Sequence, residues 1–199
     1  MTKIKICGLT RSEDIDYVNE ARPDYIGFVF ADSKRKVTIE QAKELKKALD
    51  KEIQAVGVFV DEEIEVIKKI AEEGIIDLIQ LHGKEDTEYV KELKSQVSVP
   101  IIKAWKAGSM AEEEMNRMPV DYNLIDSGKG SGKTFDWDLV PHTKRQWFLA
   151  GGLSEENVEE AIETLHPYAV DFSSSVETNG KKDREKIRRI VRRIRNVKR

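Results

Sequence analysis

The chain has 199 residues, of which 39% are hydrophobic and 36% are charged, and its net charge is −3. This composition excludes an intrinsically disordered chain and a strongly basic, polyanion-binding protein, while the length fits one large domain or two small ones. The longest apolar runs, residues 55–60 and 75–81, are far shorter than the roughly 20 residues that cross a bilayer. We therefore expect no transmembrane helix and no membrane partner.

The first eight residues alternate lysine with isoleucine and lack the continuous apolar segment of a secretory signal peptide. Cys7 is the only cysteine, so an internal disulfide is impossible. Proteins of reducing compartments usually lack disulfides. These features predict a cytoplasmic protein.

Eight short segments, most of them rich in β-branched or aromatic residues, are predicted to form strands that are covered on both faces. In chain order they are residues 3–7, 24–30, 54–60, 77–82, 100–105, 121–126, 146–149 and 169–172. Helical periodicity lies between most of them. The predicted helices are residues 12–21, 38–49, 61–73, 85–93, 111–118 and 154–165, followed by a final helix near the C-terminus.

The final segment is unusually basic. Residues 181–199 carry 11 basic and 2 acidic side chains, whereas the rest of the chain carries 23 basic and 35 acidic ones. Such a segment could bind nucleic acid. However, Ile187, Ile190, Val191 and Ile194 recur at helical spacing, which is typical of a helix packed on a core. We therefore expect a packed helix with a solvated basic face, and no nucleic acid partner.

Strand and helix alternate about eight times without a linker rich in Pro, Gly or Ser, which argues against two domains. The predicted fold is an α/β single (β/α)8 TIM barrel that spans residues 1–199 and has minimal length, about 25 residues per βα unit. An open doubly wound sheet is the alternative, but only Gly8 follows the first strand where that fold has a glycine-rich turn. Residues 128–134 are predicted to form a long mobile loop over the active site, followed by a helical turn at 135–140.

Polar residues cluster at the predicted strand ends, where barrel enzymes have their active sites. Each has an ordinary structural explanation when taken alone, because a lone cysteine is often a small buried hydrophobe and a lone aspartate often caps a helix. Together on one rim they indicate a catalytic site, with Gln80 and His82 among the substrate-binding residues. The strand-end residues are Cys7, Arg35, Gln80, His82, Asp126, Asp171 and Ser173.

Two loops of this rim are typical of phosphate binding. Gly151 and Gly152 follow the seventh strand, and Ser173, Ser174 and Ser175 follow the eighth. Barrels often hold a phosphate at this pair of loops through backbone N–H groups and the N-terminus of a short helix. The sequence therefore predicts a phosphorylated small-molecule ligand.

A metal site is not expected, because His82, His142 and His166 lie on different βα units without a ligand at i+2 or i+4. A Cys7–His82 pair could act in acyl transfer, but the sequence marks no oxyanion site for that reaction.

Short motifs along the whole chain resemble the phosphoribosylanthranilate isomerase family. They are KICGLT at 5–10, GFVF at 27–30, SKR at 33–35 with VT at 37–38, VGVF at 56–59, QLHG at 80–83, GSGKTFDW at 130–137, LAGGL at 149–153 and DFSS at 171–174 with VE at 176–177.

The resemblance implies a (β/α)8 isomerase of tryptophan biosynthesis that uses no cofactor or metal. Its reaction converts N-(5-phosphoribosyl)anthranilate into 1-(2-carboxyphenylamino)-1-deoxyribulose 5-phosphate by an Amadori rearrangement. The resemblance makes Cys7 the general base and Asp126 the general acid. It assigns the anthranilate carboxylate to Arg35, a ribose hydroxyl to Asp171, and the phosphate to the two loops defined above.

One departure from the family pattern is Ser175, which stands where glycine is usual and puts the geometry of the phosphate loop in question. Two alternatives stay open. One is the related aminoaldose isomerase of histidine synthesis, which has aspartate in place of Cys7, or a barrel that accepts both substrates. The other is a non-catalytic binder of a phosphorylated metabolite or of nucleic acid. The sequence also leaves open whether the chain is a monomer or a homodimer.

Overall fold

Eight parallel strands form a closed barrel in which β1 to β8 follow chain order and β8 pairs with β1. The computed structural model describes residues 1–108, 112–127, 140 and 143–197. The strands are β1 (Lys3–Cys7), β2 (Tyr25–Val29), β3 (Gln54–Phe59), β4 (Leu78–Leu81), β5 (Ile101–Lys106), β6 (Tyr122–Asp126), β7 (Trp147–Ala150) and β8 (Ala169–Phe172). The predicted α/β class and (β/α)8 barrel are confirmed, and every strand begins and ends within one residue of its prediction.

The helices of the described part of the chain cover the outside of the barrel. They are α1 (Ser12–Ala21), α2 (Ile39–Ala48), α3 (Ile64–Glu72), α4 (Thr87–Gln96), α5 (Glu112–Arg117), α6 (Val158–Leu165) and α7 (Arg184–Asn196). Helix α1 ends at Ala21 as predicted, and it begins at Ser12 because Arg11, and not Ser12, is its N-cap. Thr38 caps α2 by accepting a hydrogen bond from the Gln41 N–H.

Three helices begin later than predicted, because residues at their expected first turns make other contacts. Asp61 has a left-handed backbone (φ 49°) and its N–H donates to Glu85, so α3 starts three residues further on. The Glu85 carboxylate also accepts from the Gly83 N–H, and α4 starts after Asp86. The Ser154 N–H donates to the side chain of Asn157, and α6 starts after this turn.

The hydrophobic core has two layers, one inside the barrel and one between the barrel and its helices. The inner layer centres on Phe148, which is fully buried. Its ring lies 5.5 to 5.8 Å from the rings of Tyr25, Tyr122 and Tyr168. These tyrosines lie at the N-terminal ends of the strands, so aromatic rings fill that end of the barrel. The polar side chains of the interior lie toward the C-terminal ends of the strands.

Helix α7 packs as predicted, with Ile187, Ile190, Val191 and Ile194 buried. Its basic face is paired with acidic side chains of the barrel and of neighbouring helices. The pairs are Arg184–Glu20, Arg189–Glu155, Arg193–Glu159 and Arg195–Asp24. Basic residues of the C-terminal segment thus form ion pairs with acidic residues of the rest of the chain. Within the described ranges, no helix is long and apolar enough to cross a membrane.

Two small elements after β8 were not predicted. A 3-10 helix spans Ser174–Val176, and a two-stranded antiparallel hairpin follows, with β9 at Glu177–Thr178 and β10 at Lys181–Lys182. Asn179 and Gly180 join its strands with positive φ angles of 53° and 75°. Asn-Gly is a favoured pair for such a turn, so a hairpin signal was present in the sequence. The predicted loop at 128–134 lies outside the described residues, as does the predicted turn at 135–140 apart from residue 140.

Candidate active site

Side chains alternate along a strand, so Lys5 and Cys7 of β1 both face the barrel interior. The Lys5 ammonium is fully buried and lies 2.6 Å from Oδ2 of Asp171, whose side chain is 8% exposed. Burial lowers the pKa of Lys5, but its interactions with Asp171 and Cys7 together outweigh burial and raise that pKa above its ordinary value. Burial also raises the pKa of Asp171, and Lys5 offsets part of this effect. The Lys5–Asp171 pair forms the floor of the site.

Cys7 lies at the end of β1 and is partly exposed. Burial raises the pKa of its thiol, and the positive charges of Lys5 and Lys182 offset only part of this effect. Gly27 is its partner on β2, and a Cβ atom at Gly27 would lie 2.5 Å from the Cys7 sulfur. Glycine at that position therefore provides the space that the sulfur occupies.

His82 and Asp126 face each other at this rim, with His82 Nε2 3.6 Å from Asp126 Oδ2. The side-chain amide of Gln80 donates to His82 Nδ1 at 2.9 Å. This hydrogen bond favours the tautomer with the proton on Nε2, the atom that faces Asp126. Gln80 is 1% exposed and orients His82 from below.

Two buried acceptors of the site have no hydrogen-bond partner within the described part of the chain: Oδ1 of Asp171 and Oε1 of Gln80. Buried polar atoms in proteins are nearly always hydrogen-bonded. An unpaired acceptor in an enzyme site is thus suited to a donor on a ligand, such as a sugar hydroxyl.

Arg35, from the loop after β2, forms a bidentate ion pair with Glu177 of β9. Its Nε donates to Oε1 at 2.6 Å and its Nη2 donates to Oε2 at 2.8 Å. Lys182 of β10 donates to the same Oε1 at 2.6 Å and to the carbonyl of Ser173 at 2.9 Å. This cluster borders the Cys7 side of the rim, because the stem of Arg35 lies against the backbone of Gly8, the residue after Cys7.

The two loops predicted to bind phosphate lie at the ends of β7 and β8. Gly151 and Gly152 have φ angles of +83° and +64°, values that favour glycine. A Cβ atom at Gly151 would clash with the Asp126 carboxylate, and Ser127 Oγ donates to the Gly151 carbonyl at 2.6 Å. The first phosphate loop therefore lies directly against the predicted general acid.

The second phosphate loop begins at Ser173, and Ser174 and Ser175 start the 3-10 helix. The first N–H groups of such a helix have no partner within the helix and can bind an anion. A 3-10 helix uses backbone angles that any residue adopts. The serine at position 175 therefore fits the loop without the conformational freedom of glycine.

The barrel brings all the predicted strand-end residues to one rim. Sequence reasoning gave no role to Glu177 or Lys182, although Glu177 belongs to a motif of the family resemblance and the Asn-Gly turn pointed to the hairpin that carries both. His166 lies elsewhere, at the C-terminus of α6, and His142 lies outside the described residues. Over those residues, no group of three or more His, Cys, Asp or Glu side chains is placed to hold a metal ion.

Comparison with known proteins identifies the family. The model of the N-(5'-phosphoribosyl)anthranilate (PRA) isomerase family matches residues 4–193. N-(5'-phosphoribosyl)anthranilate isomerase of Endomicrobium trichonymphae is 46% identical over 202 residues, which cover 99% of this chain and all of that protein.

Solved structures agree. Phosphoribosyl anthranilate isomerase from Thermus thermophilus is 33% identical, with a TM-score of 0.87 over 99% of this chain and 100% of that one. A phosphoribosyl anthranilate isomerase in complex with reduced 1-(o-carboxyphenylamino)-1-deoxyribulose 5-phosphate is 34% identical, with a TM-score of 0.80 over 98% and 99% of the two chains. The chain belongs to the N-(5'-phosphoribosyl)anthranilate isomerase family.

Proposed function

We propose that this chain converts N-(5-phosphoribosyl)anthranilate into 1-(2-carboxyphenylamino)-1-deoxyribulose 5-phosphate, with Cys7 as general base and Asp126 as general acid. Asp171 carries the proposal most directly. Its Oδ2 accepts from Lys5 at 2.6 Å, and Lys5 lies two residues before Cys7 on β1. Its Oδ1 is buried and has no hydrogen-bond partner within the described part of the chain, so it offers an acceptor to a ribose hydroxyl.

The first chemical step opens the ribose ring. The Asp126 carboxylic acid gives its proton to the ring oxygen, the bond between that oxygen and C1 breaks, and the nitrogen lone pair forms a C1=N iminium. General acid catalysis is needed here, because an unprotonated alkoxide is a poor leaving group.

The second step removes the proton from C2. The Cys7 thiolate takes it, the C–H electron pair forms a C1=C2 double bond, and the iminium electrons return to nitrogen. The resulting enol becomes the ketone when C1 takes a proton back from Cys7 and the C2 hydroxyl gives its proton to Asp126, which returns both groups to their starting states. Atoms and electrons balance within the substrate, so the sequence of steps is an isomerisation.

Activation of Cys7 fits the electrostatics of the site. Burial raises the thiol pKa in the ligand-free protein, while Lys5 lowers it. A cationic iminium beside the sulfur adds a further positive charge, which favours the thiolate at the moment it is needed. The thiol is then unreactive between turnovers and basic only with substrate bound.

The remaining predicted residues bind and orient the substrate. Arg35 pairs with the aryl carboxylate, Asp171 accepts from a ribose hydroxyl, and Gln80 holds His82 at the rim. The phosphate binds the backbone of the two loops, at Gly151, Gly152, Ser173, Ser174 and Ser175. Fixing both ends of the substrate places the ribose between acid and base, which supplies the orientation that catalysis requires.

A fluorescence assay tests this function. Purified protein should abolish the fluorescence of phosphoribosylanthranilate while the ketose product accumulates, as followed by chromatography. The histidine-pathway aminoaldose is assayed in parallel, since turnover of that substrate alone would assign the chain to the related isomerase. A fluorescence change without product would indicate a binding protein.

A further inference from the structure

Among the described residues, the Arg35 guanidinium is held along one of its edges, by Glu177. Nε and Nη2 donate side-on to the two oxygens of Glu177. A guanidinium has five N–H donors in a rigid plane. The end-on edge, formed by Nη1 and the outer hydrogen of Nη2, therefore points away from Glu177 and can bind a second carboxylate bidentately.

The stem of Arg35 is fixed as well. A Cβ atom at Gly8 would clash with Cδ of Arg35, so the aliphatic chain lies directly on the backbone next to Cys7. The guanidinium is thus restrained by Glu177 at its head and by Gly8 along its stem. Its position relative to the Cys7 sulfur is set by these two contacts.

Glu177 is itself built into the structure. Its side chain is 8% exposed, and the 1% exposed side chain of Lys182 lies 2.6 Å from its Oε1. Lys182 is anchored in turn by the Ser173 carbonyl. Arg35, Glu177 and Lys182 together carry a net charge of +1, so the cluster attracts a substrate carboxylate even though one member is negative.

We propose that Glu177 is the positioning residue that makes Arg35 selective for the aryl carboxylate. Glu177 occupies the side-on edge of the guanidinium and presents the end-on edge to the substrate, while Lys182 cancels the repulsion that Glu177 would otherwise exert. The proposal rests on the proposed function for the identity of that carboxylate.

The test compares two ligands by calorimetry, so it does not require turnover. One is reduced 1-(2-carboxyphenylamino)-1-deoxyribulose 5-phosphate and the other is the same molecule without the carboxylate. The ratio of their Kd values measures carboxylate selectivity. The variants are Glu177→Gln, which removes the charge, and Glu177→Asp, which keeps the charge beside Lys182 but withdraws it from Arg35.

Glu20→Gln is the matched control, because Glu20 makes an equivalent bidentate pair with Arg184 on the surface, where the two side chains are 52% and 56% exposed. Both Glu177 variants should lower the selectivity ratio about tenfold, with the loss confined to the carboxylated ligand. Glu20→Gln should leave the ratio unchanged. In an Arg35→Ala background, Glu177→Gln should have no further effect.

Three outcomes would overturn the proposal. They are an unchanged ratio in the Glu177 variants, a higher ratio after Glu177→Gln, and equal weakening of both ligands. If the unmodified protein binds neither ligand, the proposed function itself is wrong, and that result is distinct from a loss of selectivity. Far-ultraviolet circular dichroism on each variant separates these outcomes from misfolding.

Discussion

Acidification should lower the free energy of unfolding by protonating Glu177. Replacing Glu177 by glutamine should remove this part of the pH dependence. Burial raises the pKa of this carboxyl, but hydrogen bonds from Arg35 and Lys182 outweigh burial and lower the pKa from 4.5 to about 2. The folded pKa lies below the unfolded one. The contribution of the ionised Glu177 to the free energy of unfolding is therefore complete above pH 4.5 and is lost as the pH falls toward 2.

The size of this effect follows from the two pKa values. Their difference corresponds to about 3 kcal/mol of unfolding free energy at neutral pH, of which about 2 kcal/mol is lost by about pH 3. The side chain is 8% exposed, so solvent screening reduces this figure little.

Urea unfolding of the unmodified protein and of Glu177→Gln at about pH 6 and about pH 3 measures the effect. The difference in unfolding free energy between the two proteins should shrink by about 2 kcal/mol between these pH values. Glu20→Gln, which alters an exposed pair, should show no comparable change. A difference that stays constant from about pH 6 to about pH 3 would refute the reasoning.

Two further predictions concern space and buried charge. Gly27→Ala places a Cβ atom 2.5 Å from the Cys7 sulfur and should displace it. The kcat should therefore fall at least about tenfold while the circular dichroism spectrum stays unchanged. Normal turnover would show that the added methyl group does not displace the sulfur. In the unmodified protein the Glu85 carboxylate is 1% exposed and lies 2.7 Å from the Lys103 ammonium. Lys103→Met removes this cation and leaves the buried carboxylate unpaired. Urea denaturation should show a loss of about 3–5 kcal/mol, and a loss below about 1 kcal/mol would show that the backbone N–H groups suffice for Glu85.

The barrel strands were predictable to within one residue because they are covered on both faces and therefore appear as short apolar runs. Helix starts were less predictable, since a carboxylate such as Glu85 fits a first helical turn equally well. In the fold it binds Lys103, which lies 18 residues away in sequence. Contacts of this range leave no local pattern.

The same distinction explains the site. The position of Cys7, Asp126 and Asp171 at one rim was predictable because the parallel strands of a barrel end there. The pairing of Arg35 with Glu177 spans 142 residues, and nothing in either local segment indicates it. Alternation along β1 puts Lys5 on the same face as Cys7, but the burial of Lys5 against Asp171 depends on the closure of β8 on β1.

The central claim is that Cys7 and Asp126 perform the proton transfers, and kcat of the Cys7→Ala and Asp126→Asn variants tests it most directly. General acid and base groups typically contribute about 10²- to 10⁴-fold. Each variant should therefore lose at least about 100-fold in turnover of phosphoribosylanthranilate while its urea unfolding stays close to that of the unmodified protein. Full kcat in either folded variant would contradict the account.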